Sequence, residues 1–399
     1  MVSFPGLDRL FSADLRRRLV ALRQEIHRHP ELGFEERETS RRLYEELSRL
    51  GPAALELDRV AQTGLVARLR GADPGAPIVA VRGDIDALPI QEATGLPYAS
   101  ERPGVMHACG HDVHATWAVG AACLLADRPA RGNVLVVLQP AEETGRGAQA
   151  VLESGALEGV AAMFGGHVDR RFTVGQVVAD EGPLAAAADT FSIVLCGGGA
   201  HAARPHEAAD PIVGLGALVL ALQTIVARRL SPGTPAVVTV GTARAGTAAN
   251  VIPDTATLTG TLRAIDHDTR ALLQAEVRRL AEATAAAYRL TAQVSLELGP
   301  PPIVNRPEPV AWARRAVEAV LGAGALQPLG TPNLGGEDFA WYLERMAGCF
   351  LRIGAREPGG EPIPAHSPRF WAAEDSIFVG AAVLAETARI ASKAVSGER

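Results

Sequence analysis

Cys109-x-His111 sets a thiolate and an imidazole close enough in the chain for both to reach one ion. Thiolate and imidazole suit zinc or a similar transition metal, and carboxylate fits either that or manganese. Thirty residues on, Gln139-Pro-Ala-Glu-Glu143 carries two adjacent carboxylates. In a closed site both cannot ionise cheaply unless a cation neutralises one of them. A sound division of labour puts one carboxylate on the metal and leaves its neighbour to take a proton from water whose pKa the metal lowers. His167 and His366 offer further imidazoles, and Asp84 and Asp86 further carboxylates. Each alone has an ordinary reading: a buried structural cysteine, a solvated Glu-Glu turn, a surface or core histidine. Together they would suffice for a two-metal site.

Three apolar runs, Ile78 to Val81, Val134 to Leu138 and Val160 to Phe164, lead into these residues. None alternates with polar positions, as expected of strands buried on both faces of an α/β sheet. Asp84 and Asp86, Glu142 and Glu143, and His167 then follow the ends of the three runs, where ligand sites of open α/β sheets lie. An opening helix capped by Ser12 shows Leu15, Leu19, Leu22 and Ile26 on one face. From Asp189 the pattern alternates. Asp210 and Pro211 then start a long apolar helix, runs at Ala236 to Thr242 and Thr255 to Leu262 read as strands, a helix carries Leu273, Val277 and Leu280, and Ala292 to Leu298 alternates again. That βαββαβ order is ferredoxin-like. The expected architecture is α/β: a larger mixed domain in residues 1–185 and 301–399, interrupted by a smaller one in 186–300.

The chain has 399 residues, enough for two compact units. Hydrophobic residues make up 47%, which is ample for burial, and 21% charged residues argue against a mostly disordered chain. With 39 basic against 45 acidic residues the net charge is −6, so bulk charge gives no case for a nucleic-acid partner. No apolar stretch of transmembrane length is expected, and the first helix is too Arg-rich for a signal peptide. Four cysteines without dense spacing point to a reducing, cytoplasmic setting rather than a disulfide scaffold. Gly145-x-Gly147-x-x-Ala150 follows a strand but is a poor dinucleotide fingerprint, because Glu142 and Glu143 would repel a pyrophosphate.

Taken in order, the motifs resemble one family almost end to end. They are His27-Arg-His-Pro-Glu-Leu-Gly-Phe34, Asp84-Ile-Asp-Ala-Leu-Pro-Ile90, Met106-His-Ala-Cys-Gly-His-Asp112, Gln139-Pro-Ala-Glu-Glu143, His201-Ala-Ala-Arg-Pro-His206, Asn250-Val-Ile-Pro-Asp254, Gly336-Glu-Asp-Phe339 and His366-Ser-Pro-Arg-Phe370. The sequence resembles the metal-dependent amidohydrolases that include hippurate hydrolases, N-acyl-amino-acid amidohydrolases and indole-acetyl-amino-acid hydrolases, relatives of aminoacylase and glutamate carboxypeptidase.

The resemblance implies that Cys109, His111, Glu143, His167 and His366 hold two divalent ions (zinc, manganese, cobalt or nickel), that Glu142 is the general base and that Asp86 supports the site. Asp84 matches no ligand role. It further implies hydrolysis of an N-acyl amino acid by a water bridging the ions, in a homodimer whose insert acts as a lid. His201 would reach across the dimer to the scissile carbonyl, Asn250 would line the substrate pocket, and Arg263 could hold the substrate carboxylate. His27, His29 and His114 read as structural, and His206 stays open. Alternatives are a dipeptidase or carboxypeptidase on the same scaffold, or a non-catalytic binder of acylated peptides. Cys109 favours the amidohydrolase branch, since the peptidase branches resemble a carboxylate there, and an intact Glu142 has no use in a binder. Gly83 stands where the family often has Ala, Gly166 where Leu often precedes the ligand histidine, and Cys196-Gly-Gly-Gly-Ala-His201 approaches the lid histidine unusually.

Overall fold

The three uninterrupted apolar runs form the parallel heart of one sheet in this computed structural model, which describes residues 5–397. Its strands are β1 (Leu55–Val60), β2 (Gly64–Leu69), β3 (Ile78–Asp84), β4 (Val134–Gln139), β5 (Val160–Thr173), β6 (Val177–Val178) and β7 (Ala347–Arg356). Their order across the sheet is β1-β2-β4-β3-β5-β7-β6. β4, β3, β5 and β7 run parallel, while β1, β2 and β6 pair antiparallel at the two sides. Every residue of β4 is buried, which is why that run carries no alternation.

Helices α1 (Ala13–Arg28), α2 (His111–Asp127) and α3 (Asp375–Val395) share the sheet's apolar core. Ser12 caps α1 as expected, its hydroxyl accepting the Leu15 N–H at 3.2 Å, and Leu19, Leu22 and Ile26 are buried. α2 is buried almost throughout, with Trp117 fully enclosed. Gly83 on β3 permits its close approach: a Cβ there would lie 2.3 Å from the His114 carbonyl oxygen. This is a physical reason for glycine where alanine was the more familiar residue.

One strand departs from expectation. The run starting at Val160 does not stop at Phe164 but continues to Thr173, so His167 sits inside β5 rather than beyond it. The reason is its neighbour: β7 pairs with β5 in parallel register past this point, with Arg352 opposite His167.

The chain divides into two compact units. The larger comprises residues up to Gly182, Asn305–Gly330 and those from Asp338 onward; the smaller comprises Pro183–Val304 with a short return at Thr331–Glu337. In the smaller unit, strands Ala236–Ala245, Thr255–Ala264, Ala187–Cys196 and Thr291–Glu297 lie side by side in that order, each pair antiparallel. With helices Pro211–Arg229 and His267–Ala287 this is the ferredoxin-like βαββαβ arrangement. Asp210 caps the first helix through the Ile212 N–H at 2.8 Å, with Pro211 at its first position. Contrary to expectation, this helix has the length and hydropathy of a membrane span. Its inner face explains much of that composition: Leu215, Leu218, Leu222 and Ile225 pack in one core with Phe191, Ile193 and Leu195 of the sheet.

Candidate active site

Two left-handed backbone positions aim the cluster. Gly110, at φ 89°, precedes α2 and turns the chain between Cys109 and His111. Ala141, at φ 53°, follows β4 and turns the chain into Glu142 and Glu143. Such a conformation is strained for a residue with a Cβ and must be held by its surroundings. Here the buried Glu36 carboxylate accepts the Ala141 N–H at 2.8 Å and the Thr63 hydroxyl at 2.5 Å. His366 is a third such residue, at φ 64°, and its N–H donates to the Ala108 carbonyl at 2.8 Å.

Ligating atoms then converge in overlapping groups, each spanning no more than 4.8 Å: Cys109 with His111 and His167, Cys109 with Glu143 and His366, and His111 with Glu142 and Glu143. Cys109 Sγ lies 3.1 Å from His167 Nε2, and His366 Nε2 lies 3.3 Å from Glu143 Oε1. Asp86 braces two members at once. Its Oδ2 accepts the Glu143 N–H at 3.0 Å, and its Oδ1 lies 3.1 Å from His111 Nδ1. That contact puts a proton on Nδ1 and turns Nε2 inward. Asp84 differs: one of its oxygens is paired with Arg82 and the other lies 2.6 Å from His114 Nδ1.

Among the described residues, neither His111 Nε2 nor Glu143 Oε1, both buried, completes a well-aligned hydrogen bond, Glu143 Oε1 having only the charge contact with His366. Orphaned buried groups are costly, and two aimed into one cluster fit a cation between them. The acid–base balance agrees. Burial and the nearby Glu143 push the Cys109 thiol well up. Burial opposes charging of His111, but Asp84 and Asp86 outweigh it and raise its pKa. Burial would raise Glu143, yet His366 and His111 hold it below its ordinary value. A bound dication reverses the first of these by deprotonating the thiol.

Glu142 lies at the edge of this group, its Oε1 accepting the Asp338 N–H at 3.3 Å and its Oε2 3.9 Å from His111 Nε2. Beneath it is a buried network that the sequence reading missed. Arg82 donates to Gln139 at 2.9 Å and to Asp338 at 2.9 Å, and pairs with Asp84. Gln139 in turn donates to Asp338 at 2.8 Å and accepts from Tyr342 at 3.0 Å. The available signal was an arginine set inside an otherwise apolar strand, since a buried charge demands partners.

The smaller unit carries the remaining expected residues. His201 is exposed on a two-residue strand, Ala200–His201, paired with Val251–Ile252. Its Nδ1 accepts the Ala203 N–H at 3.0 Å, which puts the proton of the neutral ring on Nε2. Asn250 is exposed, its carbonyl accepting the Ala202 N–H at 3.1 Å. Arg263 is half-buried on Thr255–Ala264 and makes no ion pair among the described residues. Among the histidines read as structural, His27 is buried against Asp112 at 2.8 Å, beside Arg23. His29 and His206 lie outside the cluster.

A parallel-centred sheet with thiol, imidazole and carboxylate groups gathered around its strands, joined to a ferredoxin-like unit, is the framework of a two-domain α/β metallohydrolase. The chain belongs to Peptidase family M20/M25/M40, whose model it matches over residues 80–390. It is 40% identical to an N-acetyl-L-cysteine deacetylase of Bacillus subtilis, over 94% of this chain and 88% of the relative. It is 38% identical to an IAA-amino acid hydrolase of Arabidopsis thaliana, over 93% and 84%. A solved structure described as a dinuclear metal-binding peptidase of the M20 family, from Bacillus subtilis, superposes with a TM-score of 0.84 at 36% identity, covering 95% of this chain and 99% of that one. The family expected from the motifs is thus the family found, and the chain is a metal-dependent hydrolase of it.

Proposed function

We propose that the enzyme hydrolyses the amide bond of N-acyl amino acids, with acetyl, benzoyl or aryl-acetyl groups on the acyl side. In this reading the larger unit is the catalytic domain and the smaller one a lid that also dimerises. Cys109, His111, Glu143, His167 and His366 hold two divalent ions, and Glu142 is the base. The observation that carries it is the pair of three-residue groups sharing Cys109, with Glu142 beside His111 and Glu143 in the next. When bound, the ions polarise the scissile carbonyl and lower the pKa of a water.

The chain's own residues supply the rest. Asp86 holds His111 and the Glu143 backbone in place. Glu142, oriented by the Asp338 N–H, accepts the water's proton and passes it to the leaving amine. The partner subunit's His201 donates to the developing oxyanion, a type of contact worth about 3 kcal/mol. Asn250 lines the substrate side, and Arg263, without an ion-pair partner of its own among the described residues, binds the substrate carboxylate. Deacetylase and amino-acid hydrolase relatives support this substrate class. Four free cysteines suit a reducing cytoplasm.

The test is a panel of N-acetyl, N-benzoyl and indole-acetyl amino acids beside unblocked dipeptides, assayed with zinc, manganese, cobalt or nickel. Turnover is expected on the N-acyl substrates. Turnover confined to dipeptides would replace this reading with a peptidase, and none at all on metal-loaded protein would favour a binder.

A further inference from the structure

His114 was expected to be structural, yet both of its ring nitrogens are engaged in a directed way. The ring is fully buried and stacked on Trp117, with centroids 4.4 Å apart and planes inclined by 20°. Its Nε2 accepts the Val168 N–H at 2.9 Å. A ring nitrogen that accepts carries no proton, so the proton of the neutral ring is on Nδ1 and is donated to Asp84 at 2.6 Å. Arg82 pairs with the other oxygen of Asp84.

The Val168 backbone is held at its carbonyl too. Its carbonyl accepts Nδ1–H of His167 at 2.7 Å, which leaves the His167 Nε2 lone pair facing Cys109 Sγ at 3.1 Å. The two successive peptide groups that meet at Val168 therefore link His114 to a residue of the cluster. The close approach of α2 to β3 at Gly83 is what brings the His114 ring within reach of both Asp84 and Val168.

We propose that His114 is a positioning residue for His167: the series Arg82, Asp84, His114 and the Val168 backbone fixes the rotamer and tautomer in which His167 presents Nε2 to a metal ion. This rests on the reading of His167 and Cys109 as ligands. Partners that orient a ligating histidine in this way typically contribute 10- to 100-fold to metal affinity.

The test uses the full-length protein loaded with cobalt(II), whose thiolate charge-transfer band reports on Cys109, with affinity measured by competition against a chromophoric chelator. His114→Phe keeps a ring against Trp117 but removes both hydrogen bonds, and about 10- to 100-fold weaker cobalt binding with an altered band is expected. His114→Gln restores an acceptor for the Val168 N–H and is expected to recover most of that loss. Circular dichroism establishes that each variant is folded. A folded Phe variant that binds cobalt like wild type overturns the proposal while leaving the ligand reading intact. Should the Phe variant not fold, a folded Gln variant as impaired as His167→Ala overturns it equally. Wild-type protein that binds cobalt without a thiolate band overturns the ligand reading, and the proposal with it.

Discussion

At the scale of single residues, the paired glutamates differ in what surrounds them. Glu143 faces His366 and His111, and its backbone is tied to Asp86. Glu142 points its carboxylate at the Asp338 N–H, on the rim of the same group. Glu143→Gln is therefore expected to lose metal first. Glu142→Gln should keep its metal and lose turnover by about 10² to 10⁴-fold, the usual range for a general base. Elemental analysis beside kcat separates the two. An emptied Glu142→Gln with a fully loaded Glu143→Gln would reverse the assignment.

At the scale of elements, strands β3 and β4 were legible because burial on both faces erases alternation, leaving plain apolar runs. The far half of β5 was not, since Gly165-Gly166-His167 lacks strand-forming side chains and is held extended by β7, a strand from nearly two hundred residues on. The convergence of Cys109, His111, Glu142 and Glu143 was readable from their spacing, but the groups bracing them were not. Arg82 meets Asp338 only across 256 positions of chain, and no local pattern encodes that meeting.

Glu36 belongs to this braced layer, tying helix Arg37–Ser48 to the turn at Ala141. Burial raises its pKa from an ordinary 4.5 to about 7, against the opposing hydrogen bond from Thr63. Because the folded state holds this proton more tightly than the unfolded state, its contribution to stability is complete below pH 4.5. It is lost as pH rises through about 7, a change of the order of 3 kcal/mol at most. Glu36→Gln should flatten the fall in stability between pH 5 and 8, measured by denaturant unfolding. Equal slopes in variant and wild type would show that Glu36 does not titrate in this window.

At the scale of the whole molecule, the reading requires two copies. His201 is exposed on the smaller unit and its Nε2 has no partner among the described residues, and the helix Pro211–Arg229 exposes Ile212, Val213 and Leu220. Exposed apolar residues of this size on one element fit a subunit contact. His201→Ala and Glu142→Gln are each expected to be nearly inactive as homodimers. Mixed in equal amounts and allowed to exchange, half of the dimers combine the two chains, and each of these has one intact site. About a quarter of wild-type activity should return if sites act independently. No recovery, despite exchange seen by native mass spectrometry, would mean that His201 acts within its own chain or not at all.

Metal dependence of the amide hydrolysis is tested most directly by removing the metal from the intact protein. The expected ligands stand on a sheet, a helix start and turns that are already held by backbone and buried side-chain hydrogen bonds. After dialysis against a chelator, far-ultraviolet circular dichroism should therefore remain close to that of the untreated enzyme. Turnover of an N-acyl amino acid should vanish, and return as two equivalents of divalent ion per chain are added back. Full turnover by protein shown to be metal-free would contradict it.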